Sequence, residues 1–210
     1  GAFAAELAKL GDIFVGDAFS CAHRAHASTE GLTHHLPSYA GPLLMEEINA
    51  LRTALEKPRR PVAAIVGGMK VSTKIEVLTN LVAKVDKLVI GGGMANTFLQ
   101  SLGRMTGQSI TEPDYHATAR EIMAQAKQKN CELILPVDAL VADAFAEDVD
   151  TQIVAIEKVP FDKMILDVGP KSIGHVNKVL EGCQTVLWNG PMGAFEIRKF
   201  ATGTFEVAKK

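Results

Sequence analysis

AAIVGGMKVSTKIEVLTNLVAKVDKLVIGGGMANTF, residues 63–98, spells strand, glycine turn and helix twice in succession. Ala63–Val66 is a short apolar run between Pro61 and the pair Gly67-Gly68. Ile75, Leu78, Leu81, Val82 and Val85 then recur at helical spacing with polar residues between them. Leu88-Val89-Ile90 is the next strand, and Gly91-Gly92-Gly93 follows it directly. Two successive βα units predict a parallel sheet, and such sheets bind ligands beyond the carboxyl ends of their strands. Glycine lets a ligand approach the main chain, and the helices that follow offer unpaired N–H groups suited to anions. Lys70 and Lys74 lie just past the first glycine pair. Their four-residue spacing predicts a shared face on the first helical turn. Phosphate is the simplest ligand for that arrangement. Tight helix packing is the other use of such glycines, and the pattern alone leaves both open.

Known phosphate signatures do not match. Gly67-Gly68-Met69-Lys70-Val71-Ser72 lacks the second glycine that precedes Lys-Ser/Thr in a P-loop. Asn96 stands where a dinucleotide fingerprint needs Gly or Ala, and no acid closes the second strand. That counts against a dinucleotide oxidoreductase. An interaction module with a vestigial pocket would share the fold but lack nucleotide affinity dependent on Lys74.

Bulk properties narrow the class. A chain of 210 residues buries roughly 70% of its unfolded surface, enough for a real core. With 47% hydrophobic and 22% charged residues, it is a globular sequence. A net charge of −2 gives no reason to expect nucleic acid or an acidic membrane as partner. No apolar run approaches the roughly 20 residues that span a bilayer. Cys21, Cys131 and Cys183 are odd in number and far apart, which predicts reduced core thiols and a cytoplasmic setting. The opening GAFAAELAKLGD predicts an amphipathic helix on Phe3, Leu7 and Leu10 rather than a signal peptide. It has no initiator Met or capping residue, as in a chain already under way.

Beyond that helix, Asp12–Val15 predicts a strand, and His23, Arg24 and His26 cluster in the loop-like stretch that runs to Gly41. Arginine offers a planar fork to carboxylate or phosphate, which suits an anionic substrate. Two histidines without a neighbouring acid or thiolate are too few for a metal, so none is expected. Leu43–Glu56 is helical, with Leu44, Ile48, Leu51 and Leu55 on one stripe, and Lys57-Pro58-Arg59-Arg60-Pro61 stops it. The main boundary is expected there, and the helix could be a lever between lobes or an ordinary crossover. Downstream, helices are expected at 95–102, 114–130 and 172–180, and strands at 132–136, 153–156, 164–166 and 185–188. The acidic stretch Asp143–Asp150 reads as a solvated excursion. The strand ends VGG, IGGG, PVD, DVG and WNGP are expected on one rim of one sheet.

Together, five blocks resemble phosphoglycerate kinase of the bacterial type. They are Asp17-Ala18-Phe19 with Ala22–Ser28; Gly67–Lys74; Gly91–Ala95; Leu135–Asp138; and Trp188–Gly193 with Phe195-Glu196. Their order and spacing match across essentially the whole chain. The resemblance implies a three-layer α/β fold with a Rossmann-like parallel sheet and a parent protein of two lobes. It places the end of a substrate lobe at 1–42, an interdomain helix at 43–58 and a nucleotide lobe at 59–210. The implied reaction is reversible phosphoryl transfer between 1,3-bisphosphoglycerate and ADP, giving 3-phosphoglycerate and ATP, with Mg²⁺ carried on the nucleotide. A monomer is implied.

Residue by residue, the resemblance assigns Arg24, with His23, to the phosphoglycerate, and Lys70 and Lys74 to catalysis at the nucleotide phosphates. Glu196 matches the acid that accepts the ribose hydroxyls. Gly67, Gly68, Gly91, Gly92, Leu166, Asn189 and Pro191 match the nucleotide pocket. Some positions depart from the family pattern: Gly16 for Asn, Ser20-Cys21 for Gly-Thr, Met69 for Ala, and Ile165 where many members have Gly. The family's first third and its final glycine-rich phosphate loop have no counterpart in these 210 residues, so the segment alone is expected to be inactive.

Overall fold

The computed structural model describes Gly1–Lys210. It divides into two compact units, Gly1–Lys57 and Pro58–Lys210. In the first, α1 (Ala2–Ala8) and β1 (Phe14–Gly16) precede β2 (Ser38–Ala40) and α2 (Pro42–Glu56). The stretch expected to be loop up to Gly41 therefore contains a strand. β2 pairs in parallel with β1, Val15 opposite Tyr39, and three residues are too few for a periodic signal. The α1 stripe also differs from expectation. Phe3 and Leu10 are exposed, and the residue that α1 buries is Ala4.

α2 begins where its sequence says it should. Pro42 occupies the first turn, where a missing N–H costs nothing. The Leu44 N–H donates to Asp17 Oδ1 at 2.8 Å, so an acid 27 residues upstream caps the helix. Leu44, Ile48 and Leu55 are half-buried, while Leu51 faces outward.

The second unit contains β3 (Val62–Val66), α3 (Ile75–Val82), β4 (Lys87–Ile90), α4 (Gly92–Ser101), α5 (His116–Gln128) and β5 (Glu132–Ile134). It continues with β6 (Asp138–Ala142), β7 (Thr151–Ala155), β8 (Met164–Val168), α6 (Pro170–Glu181), β9 (Thr185–Asn189) and α7 (Thr202–Ala208). Four strands form a parallel sheet in the order β5-β4-β3-β9. Helices cover both faces. Val62, Ala64 and Val66 of β3 pack with Leu78, Phe98 and Ile122 on one side. Ile65 packs with Val176 and Val207 on the other. Every β3 residue is buried, which explains an apolar run without alternation.

The remaining three strands make a second sheet, antiparallel in the order β7-β6-β8. This overturns the single rim. Pro136 ends the β5 direction, and β6 then runs through Asp138-Ala139-Leu140-Val141-Ala142, a strand not among those expected. PVD thus leads into the second sheet and DVG closes β8 of that sheet. VGG, IGGG and WNGP follow strands of the parallel one, as PVD does after β5, and DVG alone departs from that rim. α4 starts at Gly92, three residues before the expected Ala95, and its residues Met94 to Leu99 are all buried. Leu99 joins Val141, Val154 and Ile156 in a separate core beneath the antiparallel sheet. No helix is long and apolar enough to cross a membrane.

Candidate active site

Register brings the three glycine turns together. Val66 lies opposite Ile90 on one side and Asn189 on the other, so β3, β4 and β9 end level. Backbone hydrogen bonds then stitch the turns. The Gly67 N–H donates to the Asn189 carbonyl at 2.8 Å, Gly92 to Met192 at 2.9 Å, and Met94 to Gly68 at 3.0 Å. A β-carbon on Gly67 would lie 1.9 Å from the Pro191 carbonyl oxygen. Gly92 has φ +66°, and its β-carbon would meet Gly68 backbone at 2.5 Å. Packing therefore fixes glycine at these turns. Two N–H groups of the first α4 turn are taken up by neighbouring carbonyls, contrary to the expectation that they wait for an anion.

A cavity of about 560 Å³ opens against this knot. Gly68, Gly92 and Pro191 of the knot line its wall, together with Ile165 and Leu166 of β8. Met69 and Asn96 also line it, and Glu196 stands at the edge. An apolar cavity of this size with few polar groups suits a flat, drug-sized ligand. Glu196 is exposed in a turn between β9 and the 3-10 turn at Arg198–Phe200. Gly67 and Gly91 lie behind the wall rather than on it, Gly91 against the Met192 thioether.

Lys74 reaches the same knot from below. Its ammonium donates to the Asn189 side-chain oxygen, and burial lowers its pKa. Lys70 is exposed. The two do not share a helical turn. After Gly68 (φ +118°) the chain runs through turns, Val71 plunges into the core, and α3 starts only at Ile75 with Lys74 as its cap residue. What fixes this loop is Glu112, which no motif marks. Its carboxylate accepts the Ser72 N–H at 3.0 Å and the Ser72 hydroxyl at 2.5 Å. Burial pushes the Glu112 pKa up, but the Ser72 hydrogen bonds and the charge of Lys70 outweigh it, and the net shift is downward.

The two acids of the PVD and DVG turns serve helices. Asp138 accepts the N–H groups of Lys171 and Ser172 at 2.9 and 2.7 Å and caps α6. Asp167 accepts from Val168 and Gly203, both at 2.8 Å, and caps α7. Burial pushes its pKa up to about 6. In the first unit, Arg24 and His23 are exposed, and the Thr29 hydroxyl fixes the local turn by donating to the Arg24 carbonyl at 2.6 Å. Of the three cysteines, Cys131 is buried with its thiol pushed up to about 11, and Cys183 is half-buried. Cys21 is exposed, contrary to the expectation of a core thiol.

Known proteins share this fold. The sequence model of the phosphoglycerate kinase family matches residues 1–210. The chain belongs to the phosphoglycerate kinase family. A phosphoglycerate kinase of Methylorubrum extorquens is 58% identical over 207 residues, covering 99% of this chain and 52% of that relative. One from Chelativorans sp. matches with the same identity and coverage. Among solved structures, phosphoglycerate kinase from Coxiella burnetii superposes with a TM-score of 0.85 at 46% identity, over 98% of this chain and 54% of that one. The Pyrococcus horikoshii phosphoglycerate kinase gives 0.83 at 28% identity, over 98% and 52%. The chain thus spans about half the length of the phosphoglycerate kinases it matches. The α/β fold with a parallel sheet is shared across that span.

Proposed function

We propose that the second unit is the nucleotide-binding part of a phosphoglycerate kinase. One observation carries this reading: the three stitched turns set the Lys74 ammonium beside an apolar cavity large enough for adenosine. In this reading Gly68, Gly92, Leu166 and Pro191 wall the adenosine. Gly67 and Gly91 hold that wall in place, and Glu196 accepts the ribose hydroxyls. Lys70 and Lys74 face the phosphates, with Asn189 orienting Lys74. Residues 59–210 form the nucleotide lobe, 43–58 the interdomain helix and 1–42 the end of the substrate lobe. There Arg24, with His23, takes the phosphoglycerate.

The reaction of the whole protein is phosphoryl transfer from the acyl phosphate of 1,3-bisphosphoglycerate to ADP. The bond from phosphorus to the acyl oxygen breaks, releasing the carboxylate of 3-phosphoglycerate, and a bond to the terminal ADP oxygen forms. Such transfers need in-line positioning and cations for the charge on the equatorial oxygens, with little covalent work by the protein. Both lysines supply cationic charge. Mg²⁺ would arrive on the nucleotide phosphates and add its charge to that of the lysines. Asp167, the buried acid of the cavity lining, is engaged by two N–H donors. The setting is a cytoplasmic monomer, and residues 1–210 alone turn over little or no substrate.

Calorimetry with Mg-ADP on this chain and on Lys74→Ala tests the reading. Binding that weakens on the order of tenfold or more in the variant supports it, the range expected on losing a charge-assisted contact. Equal affinity in both, or no binding by the folded chain, contradicts it.

A further inference from the structure

Glu112 touches neither the cavity wall nor Lys74, yet its contacts run through the middle of the lysine loop. Its carboxylate holds both donors of Ser72, the residue midway between Lys70 and Lys74. Its own N–H donates to the Thr97 hydroxyl at 3.0 Å, and Thr97 is buried inside α4. Next to Ser72, Val71 is fully buried in the main core. The loop is therefore fixed twice, by an apolar plug and by an acid anchored to a buried helix. Beyond these two points the loop has two local bonds, from the Thr73 hydroxyl to the Lys70 carbonyl at 3.0 Å and from the Lys74 N–H to the Val71 carbonyl at 2.8 Å, and the Lys74 ammonium on Asn189. Lysines carry large rotamer and backbone freedom unless the chain beneath them is held.

We propose that Glu112 is a positioning residue for phosphate binding, setting the loop that carries Lys70 and Lys74 through its grip on Ser72. This rests on the nucleotide reading above. An acid here has two opposing effects on a bound anion. It places the lysines, which lowers the ordering needed on binding, and its negative charge lies close enough to Lys70 to weaken the local positive field. The bidentate hold on one residue, together with the tie to buried Thr97, makes placement the larger effect. Removing Glu112 therefore weakens phosphate binding even though it removes a negative charge. None of Lys70–Lys74 lines the adenosine cavity, so adenosine affinity stays put.

The test compares Mg-ADP and adenosine binding by calorimetry on the parent chain, Glu112→Ala, Glu112→Gln, Ser72→Ala and Lys74→Ala, with thermal unfolding of each. Glu112→Ala should bind ADP about tenfold more weakly, the scale expected when two long side chains must be ordered on binding, with adenosine affinity unchanged. Glu112→Gln keeps one acceptor and should fall between. Ser72→Ala keeps the N–H contact, should also fall between, and serves if Glu112→Ala does not fold. Unchanged or tighter ADP binding in Glu112→Ala, Glu112→Gln and Ser72→Ala would overturn the proposal, as would equal weakening of ADP and adenosine. Those results with Lys74→Ala still weakened would spare the nucleotide reading. An unaltered Lys74→Ala would sink both.

Discussion

Gly67 and Gly174 are the same residue type under opposite constraints. A β-carbon at 67 would press on the Pro191 carbonyl at 1.9 Å, and that carbonyl is backbone that cannot swing away. Gly67→Ala should cost about 3 kcal/mol, at the upper end of overpacking penalties, and should spread the turn on which the cavity depends. Gly174 lies within α6 with nothing inside 4 Å of its β-carbon position. Gly174→Ala should stabilise by about 0.5–1 kcal/mol through helix propensity and a less free unfolded chain. Urea unfolding of the two variants checks both signs, and equal effects would contradict the contact argument. The sequence could not separate these glycines, because the neighbour of Gly67 is more than a hundred positions away. Gly67, Gly68, Gly91 and Gly92 were legible as special, but whether each one packs or lines the cavity was not.

Helices were legible as elements, while their starts were not. α3, α5 and α6 follow from their apolar spacing, but three helix caps come from acids remote in sequence: Asp17 for α2, Asp138 for α6 and Asp167 for α7. Asp167 carries a pH signature. Burial pushes its pKa from an ordinary 3.8 to about 6, so the native state holds its proton to higher pH than the unfolded chain. Between about pH 4 and pH 6 the native state binds more protons at this site, and stability falls as pH rises. The difference amounts to about 3 kcal/mol. Asp167→Asn removes the titration and one acceptor. The stability of the parent relative to the variant should therefore decline from pH 4 to pH 7, measured by denaturant unfolding across that range. A constant difference would mean that burial does not govern this carboxyl. β6 was missed for a different reason. Pro136 interrupts an apolar run, and both a strand end and a change of sheet fit that sign equally well.

Across the whole chain, the site is the product of register. Val66, Ile90 and Asn189 end level because β4, β3 and β9 are parallel neighbours, and three turns distant in sequence close into one knot with a cavity beside it. The repeated βα unit made the parallel sheet legible. Nothing local encoded the second sheet, whose β8 supplies Ile165 and Leu166 to the cavity wall. Nor could any motif show that Glu112, 40 residues from Ser72, holds the lysine loop. Amide hydrogen exchange with and without saturating Mg-ADP tests the central claim most directly. Nucleotide binding at this knot predicts added protection in residues 67–74, 91–96 and 189–196, with the slowing in 67–74 lost in Lys74→Ala. Protection confined to other segments, or none at saturation, would contradict it.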